Sequence, residues 1–203
     1  QRNVKTAMHI NANFKGNGEN FDADALIDDG IIVYDNKSYL IGDIKALAHV
    51  DKDTTSVALT NKIIDLNLES NTNPQTFSKA IKRHVLSYFY RDEKVSDSIT
   101  DFVNLKLKGK IAESPLLNDV FLVNVRDLDT IDIAVDFKEK ERLLKANITA
   151  PYFNYSGNTL DSLAFSMDTN KDNFNFNLGF QNITAGPVNV PKTYTLSFES
   201  VST

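Results

Sequence analysis

Cysteine is absent from this 203-residue chain, which excludes disulfides, thiolate metal sites and a cysteine nucleophile. That absence does not fix a compartment. No apolar run approaches the roughly 20 residues of a membrane-spanning helix. Tryptophan is also missing, and glycine and proline are sparse at 8 and 5 residues. Asn, Asp, Lys and Ile are common instead, a usage that fits an AT-rich bacterial genome. The net charge of −5 is mild, and Lys and Arg are scattered through Asp- and Asn-rich turns, which argues against a nucleic-acid footprint. The chain starts at Gln1 in mid-pattern, without an initiator Met or a signal peptide, and reads as a segment of something longer.

What the chain does contain is alternation. In residues 172–182, Phe174, Phe176, Leu178 and Phe180 fall on one side of a strand, and Asn173, Asn175, Asn177 and Gln181 on the other. The pattern returns at Val4–Phe14, Phe21–Ile27, Ile64–Leu68, Ile131–Phe137, Leu144–Ala150, Leu163–Met167 and Tyr194–Phe198. Turn signals separate the strands: Gly16-Asn17-Gly18, Asp28-Asp29-Gly30, Asp35-Asn36-Lys37 and Asp51-Lys52-Asp53. Their spacing suits antiparallel hairpins and meanders rather than βαβ units.

The period changes at Asn73-Pro74, an N-cap followed by proline at the first helical position. Phe77, Ala80, Ile81, His84, Val85, Tyr88 and Phe89 follow at helical spacing, predicting an amphipathic helix over about 74–90. Ser114-Pro115 repeats the start signal and predicts a short helix over about 115–121, with Val103-Leu105-Leu107 as a strand between the two. A stretch from Tyr34 is echoed from Tyr155, which suggests two repeat units, 1–125 and 126–203, in a quasi-linear stack.

No phosphate-binding loop, dinucleotide fingerprint, nucleophile elbow or zinc-protease helix is present, so no enzyme is expected, and no cofactor or metal. His9, His49 and His84 read as structural, because no second ligand or carboxylate is spaced to support them. Asp168–Asn173 starts like a calcium loop but has Asn173 and Gly179 where Gly and Glu belong, so it reads as a polar hairpin turn. Asp22 and Asp24 share the wet face of a strand, where carboxylates serve solvation. Three glycosylation sequons, at Asn36, Asn147 and Asn182, are short enough to arise by chance. The basic flank of the 74–90 helix could meet anionic headgroups, though a solvated flank over a packed stripe is the simpler reading. On the residues alone, the apolar strand faces fit the core of a sandwich or barrel more simply than an open groove.

Two stretches carry a resemblance. Phe21–Tyr39 and Leu144–Leu163 resemble the repeats of the TamB family (translocation and assembly module), in the versions found in Bacteroidetes and Flavobacteria. In those repeats a strand-turn-strand unit recurs, a helical insert like Asn73–Tyr90 breaks the strands, and a short element like Ser114–Leu117 follows. The resemblance implies membership of the AsmA-like repeating-β-groove group: a mostly β fold, its antiparallel strands curled into an open half-pipe, apolar inside. It implies a segment of a periplasmic protein, anchored in the inner membrane outside this fragment. The implied role is conduction of phospholipid between membranes, or shielding of apolar segments in outer-membrane biogenesis. A BamA-like outer-membrane partner is implied through parts of the parent beyond these residues. The helix puts continuous conduction through this stretch in question.

The whole chain is accordingly expected to form one non-enzymatic segment. The residues expected to meet apolar cargo are Ile131, Ile133, Val135, Phe137, Phe165, Met167, Phe174, Phe176, Leu178 and Phe180, each on the apolar side of a cleanly alternating strand. Edge strands at either end are expected to self-associate. The competing expectation is an adhesin-like or structural β-domain that binds a protein or glycan.

Overall fold

A computed structural model describes residues 4–89, 101–117, 119, 125–155, 157–185 and 188–201, with side chains left aside at 125–127, 155, 185 and 188–201. The strands are β1 (Val4–Gly16), β2 (Phe21–Tyr34), β3 (Lys37–Val50), β4 (Thr55–Thr60) and β5 (Ile64–Ser70). Helix α1 (Pro74–Leu86) follows, then β6 (Asn104–Ile111), β7 (Val125–Leu128) and β8 (Ile131–Lys138). The chain closes with β9 (Leu143–Tyr155), β10 (Asn158–Thr169), β11 (Asn173–Ala185) and β12 (Val188–Val201).

All twelve strands belong to one sheet, in the order β1-β2-β3-β4-β5-β6-β8-β9-β10-β11-β12, with β7 added beside β9. Every pairing is antiparallel. Chain order is nearly sheet order, as short turn-rich connections dictate. β1 and β12 end the sheet without meeting, so it is an open, curled sheet and not a barrel. No described strand forms a second layer, which excludes the sandwich among the described residues. β6 pairs with β8 across the expected repeat boundary near 125, so the sheet runs on without a break there.

The turns follow their residues. Asp35 and Asn36 both take positive φ (50° and 60°), the two-residue geometry that twists correctly into β2 and β3. Gly16 sits at φ 128°, and a Cβ there would lie 2.2 Å from the Asn20 carbonyl oxygen. The Asn170 side-chain oxygen accepts the N–H groups of Asp172 and Asn173 at 2.9 Å, making the expected polar turn. One reading fails: Asp28-Asp29-Gly30 is not a turn but a bulge inside β2, with Asp29 at φ 54°. A matching irregularity at Gly42 (φ 74°) lies across from it in β3. Each shifts the buried side chains from one parity to the other, so Ile27 and Ile32, and likewise Ile41 and Ile44, stay on one face.

On the polar face, β6 carries Lys106, Lys108 and Lys110. Lys106 stands opposite Glu69 on β5 and Asp136 on β8, and Lys110 opposite Asp65 and Asp132. Among the described residues these facing charges do not close to ion pairs, and the half-buried Asp136 keeps one carboxylate oxygen without a hydrogen-bond partner, so each facing pair is worth at most a few tenths of a kcal/mol.

Helix α1 starts as its sequence requires. The Asn73 side chain accepts the Thr76 N–H at 2.8 Å, and Pro74 follows. It ends at Leu86 rather than near 90: the Ser87 N–H bonds Arg83 and its hydroxyl bonds the His84 carbonyl, while Tyr88 N–H bonds Val85 in a tighter turn. Residue 90 lies outside the described residues. The second helix is seen as helical turns at 115–117 and 119, and the remainder of the expected 115–121 lies outside the described residues.

The direction of α1 decides what it does to the sheet. It leaves the end of β5 and reaches the β8–β9 turn through the ion pair of Arg83 with Glu139. One residue on, His84 bonds Thr169 at the end of β10, and Tyr88 bonds the Asn170 carbonyl in the β10–β11 turn. Thirteen helical residues rise about 20 Å, and five strand spacings from β5 to β11 span about 24 Å. α1 therefore lies across the strands, along one rim of the sheet.

Candidate apolar-cargo face

The pairing registers put the apolar residues of neighbouring strands side by side, forming rows that run across the sheet. The rim row contains Leu105, Phe137, Leu144, Thr169 and Phe174. The second row contains Leu68, Leu107, Val135, Ala146, Met167 and Phe176. The central row takes one residue from each of ten strands: Ala12, Ala25, Ala46 and Leu59 on β1–β4. It continues through Leu66, Gly109, Ile133, Ile148, Phe165 and Leu178. Nine strand spacings make it about 43 Å long, and no residue in it is polar.

α1 closes the rim row. Ala80, Val103, Leu105, Phe137 and Leu144 form one buried cluster, joined by Phe77, Ile81 and Val85 from the helix and by Leu68, Leu107, Val135 and Met167 from the second row. Phe137 is 0% exposed and Phe174 5%. These two expected cargo residues are instead core under the helix, closed to any ligand while α1 is seated. The other eight lie on the same face. Ile133, Phe165 and Leu178 are in the central row, Val135, Met167 and Phe176 in the second, and Ile131 and Phe180 beyond the central row, all half-buried. Phe165 and Phe176 meet edge to face at 5.2 Å.

A second cluster closes the opposite side of the face near β2 and β3. Leu116 from the helical turn packs with Ile32, Tyr39, Ile41 and Ile63. The Tyr39 hydroxyl donates to Asp119 at 2.6 Å, and that carboxylate pushes the phenol up to about 12. Between the two covers the central row stays partly open, with Ile148 37% exposed. Of the ten residues in the row, sequence reasoning named Ile133, Phe165 and Leu178 and missed Ala12, Ala25, Ala46, Leu59, Leu66, Gly109 and Ile148. The alternation of Ala12, Ala25, Leu66 and Ile148 was visible, but the pairing partners that align them were not.

Under α1 the polar atoms are matched. The Thr169 hydroxyl, almost wholly buried, accepts the Leu144 N–H at 2.8 Å and meets His84 Nε2 at 2.8 Å. His84 packs edge-on against Phe137 and Tyr88. Burial drives its pKa down to about 4, aided by the Arg142 charge and opposed by Glu139. His84 is thus a neutral structural histidine.

His49 corrects the expectation that no carboxylate supports a histidine. Asp22 lies directly across the β2–β3 pairing, 2.6 Å from Nδ1, and Asp51 is 3.3 Å from Nε2. The hydrogen bond to Asp22 raises the His49 pKa. Among the described residues no group of His, Asp or Glu is arranged to hold a metal ion. No described helix is long and apolar enough to cross a membrane, a statement that does not extend to β-barrels.

The polar face has depressions of its own. One of about 540 Å³ is lined by Asp65, Lys108, Lys110, Asp132 and Asn147, and one of about 280 Å³ by Asp22, His49 and Ser56. A third, of about 770 Å³, flanks the helical turn beside Tyr39 and Leu116. Concavity alone therefore does not single out the apolar face: the first depression sets Asp65, Lys108, Lys110 and Asp132 beside Gly109 and Ile133 of the central row, and the second sets Asp22, Asp24 and His49 beside Ala23 and Leu47. No family model, curated protein or solved structure matches the chain.

Proposed function

We propose that this chain is a groove segment of a bacterial periplasmic protein that conducts or shields apolar cargo, phospholipid passing between inner and outer membranes above all. The observation that carries the reading is the central row: one apolar residue from each of ten strands in phase, bordered by two covers and, among the described residues, not sealed by a second sheet. Hydrophobic contact is non-directional and scales with area. A row of plain aliphatic and aromatic side chains therefore holds an acyl chain without fixing it at any one position. Such a surface works by contact and has no need of a catalytic group. α1 runs parallel to the row and walls it, so the helix need not interrupt passage. A BamA-like outer-membrane partner belongs to this reading only through parts of the parent protein outside these residues.

Photo-crosslinking in cells tests it. A benzophenone side chain at Ile148 or Phe176 is expected to capture phospholipid, and one at Asn147 or Asn175 on the opposite face is not. Equal capture from both faces, or a lipid-free protein that binds a glycan or protein tightly, would replace the groove with the adhesin-like reading.

A further inference from the structure

The two flanks of α1 differ in what holds them. Successive helical residues turn by about 100°, which places Arg83 and Lys82 about 130° to either side of the inward-facing Phe77–Ala80–Ile81–His84–Val85 stripe. Arg83 is tied to Glu139 in the β8–β9 turn, beyond the rim row, which fixes its side as the outer one. Lys82 consequently overhangs the inner side, above the second and central rows. Lys79 stands near the helix crest, and both lysines are exposed. Neither makes an ion pair among the described residues. A cationic flank that finds no counter-charge among the described residues therefore borders an apolar row about 43 Å long.

We infer that the cargo of this groove is an anionic phospholipid, its acyl chain on the central row and its acidic headgroup held by Lys82, with Lys79 reinforcing the field. The inference rests on the groove reading and adds a headgroup class to it. An acyl chain spans about half of a 30 Å hydrocarbon core, roughly 15 Å, or about three strand spacings of the row. A chain lying in the angle between sheet and helix leaves its phosphate at the water-exposed edge, where lysine heads reach while their stems cover apolar surface. Each lysine at such a surface favours an acidic over a zwitterionic lipid by about fivefold.

The 203-residue chain is incubated with vesicles containing equal amounts of dioleoyl-phosphatidylglycerol and dioleoyl-phosphatidylcholine, and retained lipid is read by native mass spectrometry. Wild-type protein is expected to retain phosphatidylglycerol in excess by about five- to tenfold. The K79Q/K82Q variant should approach parity without losing total lipid, whereas K79R/K82R keeps the preference. Lipid bound without preference, or a preference unchanged in K79Q/K82Q, overturns the headgroup inference and leaves the groove standing. No lipid of either kind retained by wild type overturns both. Displacement of phosphatidylglycerol by excess glycerol 3-phosphate would identify a soluble-phosphate site and also overturn the inference.

Discussion

Phe137 and Ile148 stand on the same apolar face of adjacent strands, two rows apart. One is 0% exposed and the other 37%. Their sequence surroundings are alike: each stands between two polar residues, Asp136 and Lys138 in one case and Asn147 and Thr149 in the other. The difference is made by α1, which follows β5 in the chain but lies over β6 to β11 in space. Alternation assigns a side chain to a face, and only tertiary placement decides whether that face is a core or an open wall.

The sharpest test of the comparison is a truncation at each position. Phe137→Ala should cost about 3–5 kcal/mol in chemical denaturation, since the neighbours under α1 cannot collapse into the gap. Ile148→Ala should cost well under half of that. Equal losses would mean that the central row is as sealed as the rim.

Acid should act on the covered region selectively. Burial depresses the His84 pKa to about 4 from an ordinary value near 6.5. Between those values the unfolded chain, or a state with α1 lifted, binds the extra proton. Stability is therefore intact above about pH 6.5 and is lost as pH falls toward 4, by about 3 kcal/mol at most. Denaturation midpoints of wild type and His84→Gln should differ in slope over that window, and parallel slopes would remove His84 as the cause.

On the proposed groove function, a charge on the open row should be felt mainly by bound lipid. Ile148→Asp is expected to leave the fold in place and sharply reduce lipid retained in native mass spectrometry, because a carboxylate on the row must lose its water when a chain covers it. Unfolding as severe as that of Phe137→Ala would count against an open row.

The smallest effect belongs to the polar face. His49 titrates above its ordinary value because Asp22, and then Asp51, favour the charged ring. Its contribution is complete below about pH 6.5 and fades as pH rises through the elevated value. NMR titration of the imidazole should show that elevation, and Asp22→Asn should lower it. An unchanged midpoint in Asp22→Asn would show that the contact is not made in solution.

Much of this architecture was legible in the residues. The alternating segments are strands, Asn73-Pro74 opens a helix, and all ten expected cargo residues share one face. Three things were not. Asp28-Asp29-Gly30 has turn chemistry, and only its flanking partners on β1 and β3 make it a bulge. The end of α1 at Leu86 is set by Ser87 hydrogen bonds and by Tyr88 and Phe89 meeting Phe174, a residue 85 or more positions on. The Asp22–His49 contact needed the hairpin register. Apart from the Ser87 bonds to its own helix, the deciding partners are distant in sequence, so local periodicity carries no trace of them.

A period of two has a blind spot that the lysines of β6 remove. If β6 slid by two residues against β8, every apolar side chain would still face the same way, and the hydrophobic pattern would raise no objection. The charges would. In one direction Lys106 would meet Lys138, and in the other it would meet Ala134 while Lys110 met Thr130. Only the observed alignment gives both outer lysines an acid on each neighbouring strand. The ladder works like a vernier scale: the coarse marks of apolar alternation repeat every two residues, and the charges pick out the one coincidence that counts as home.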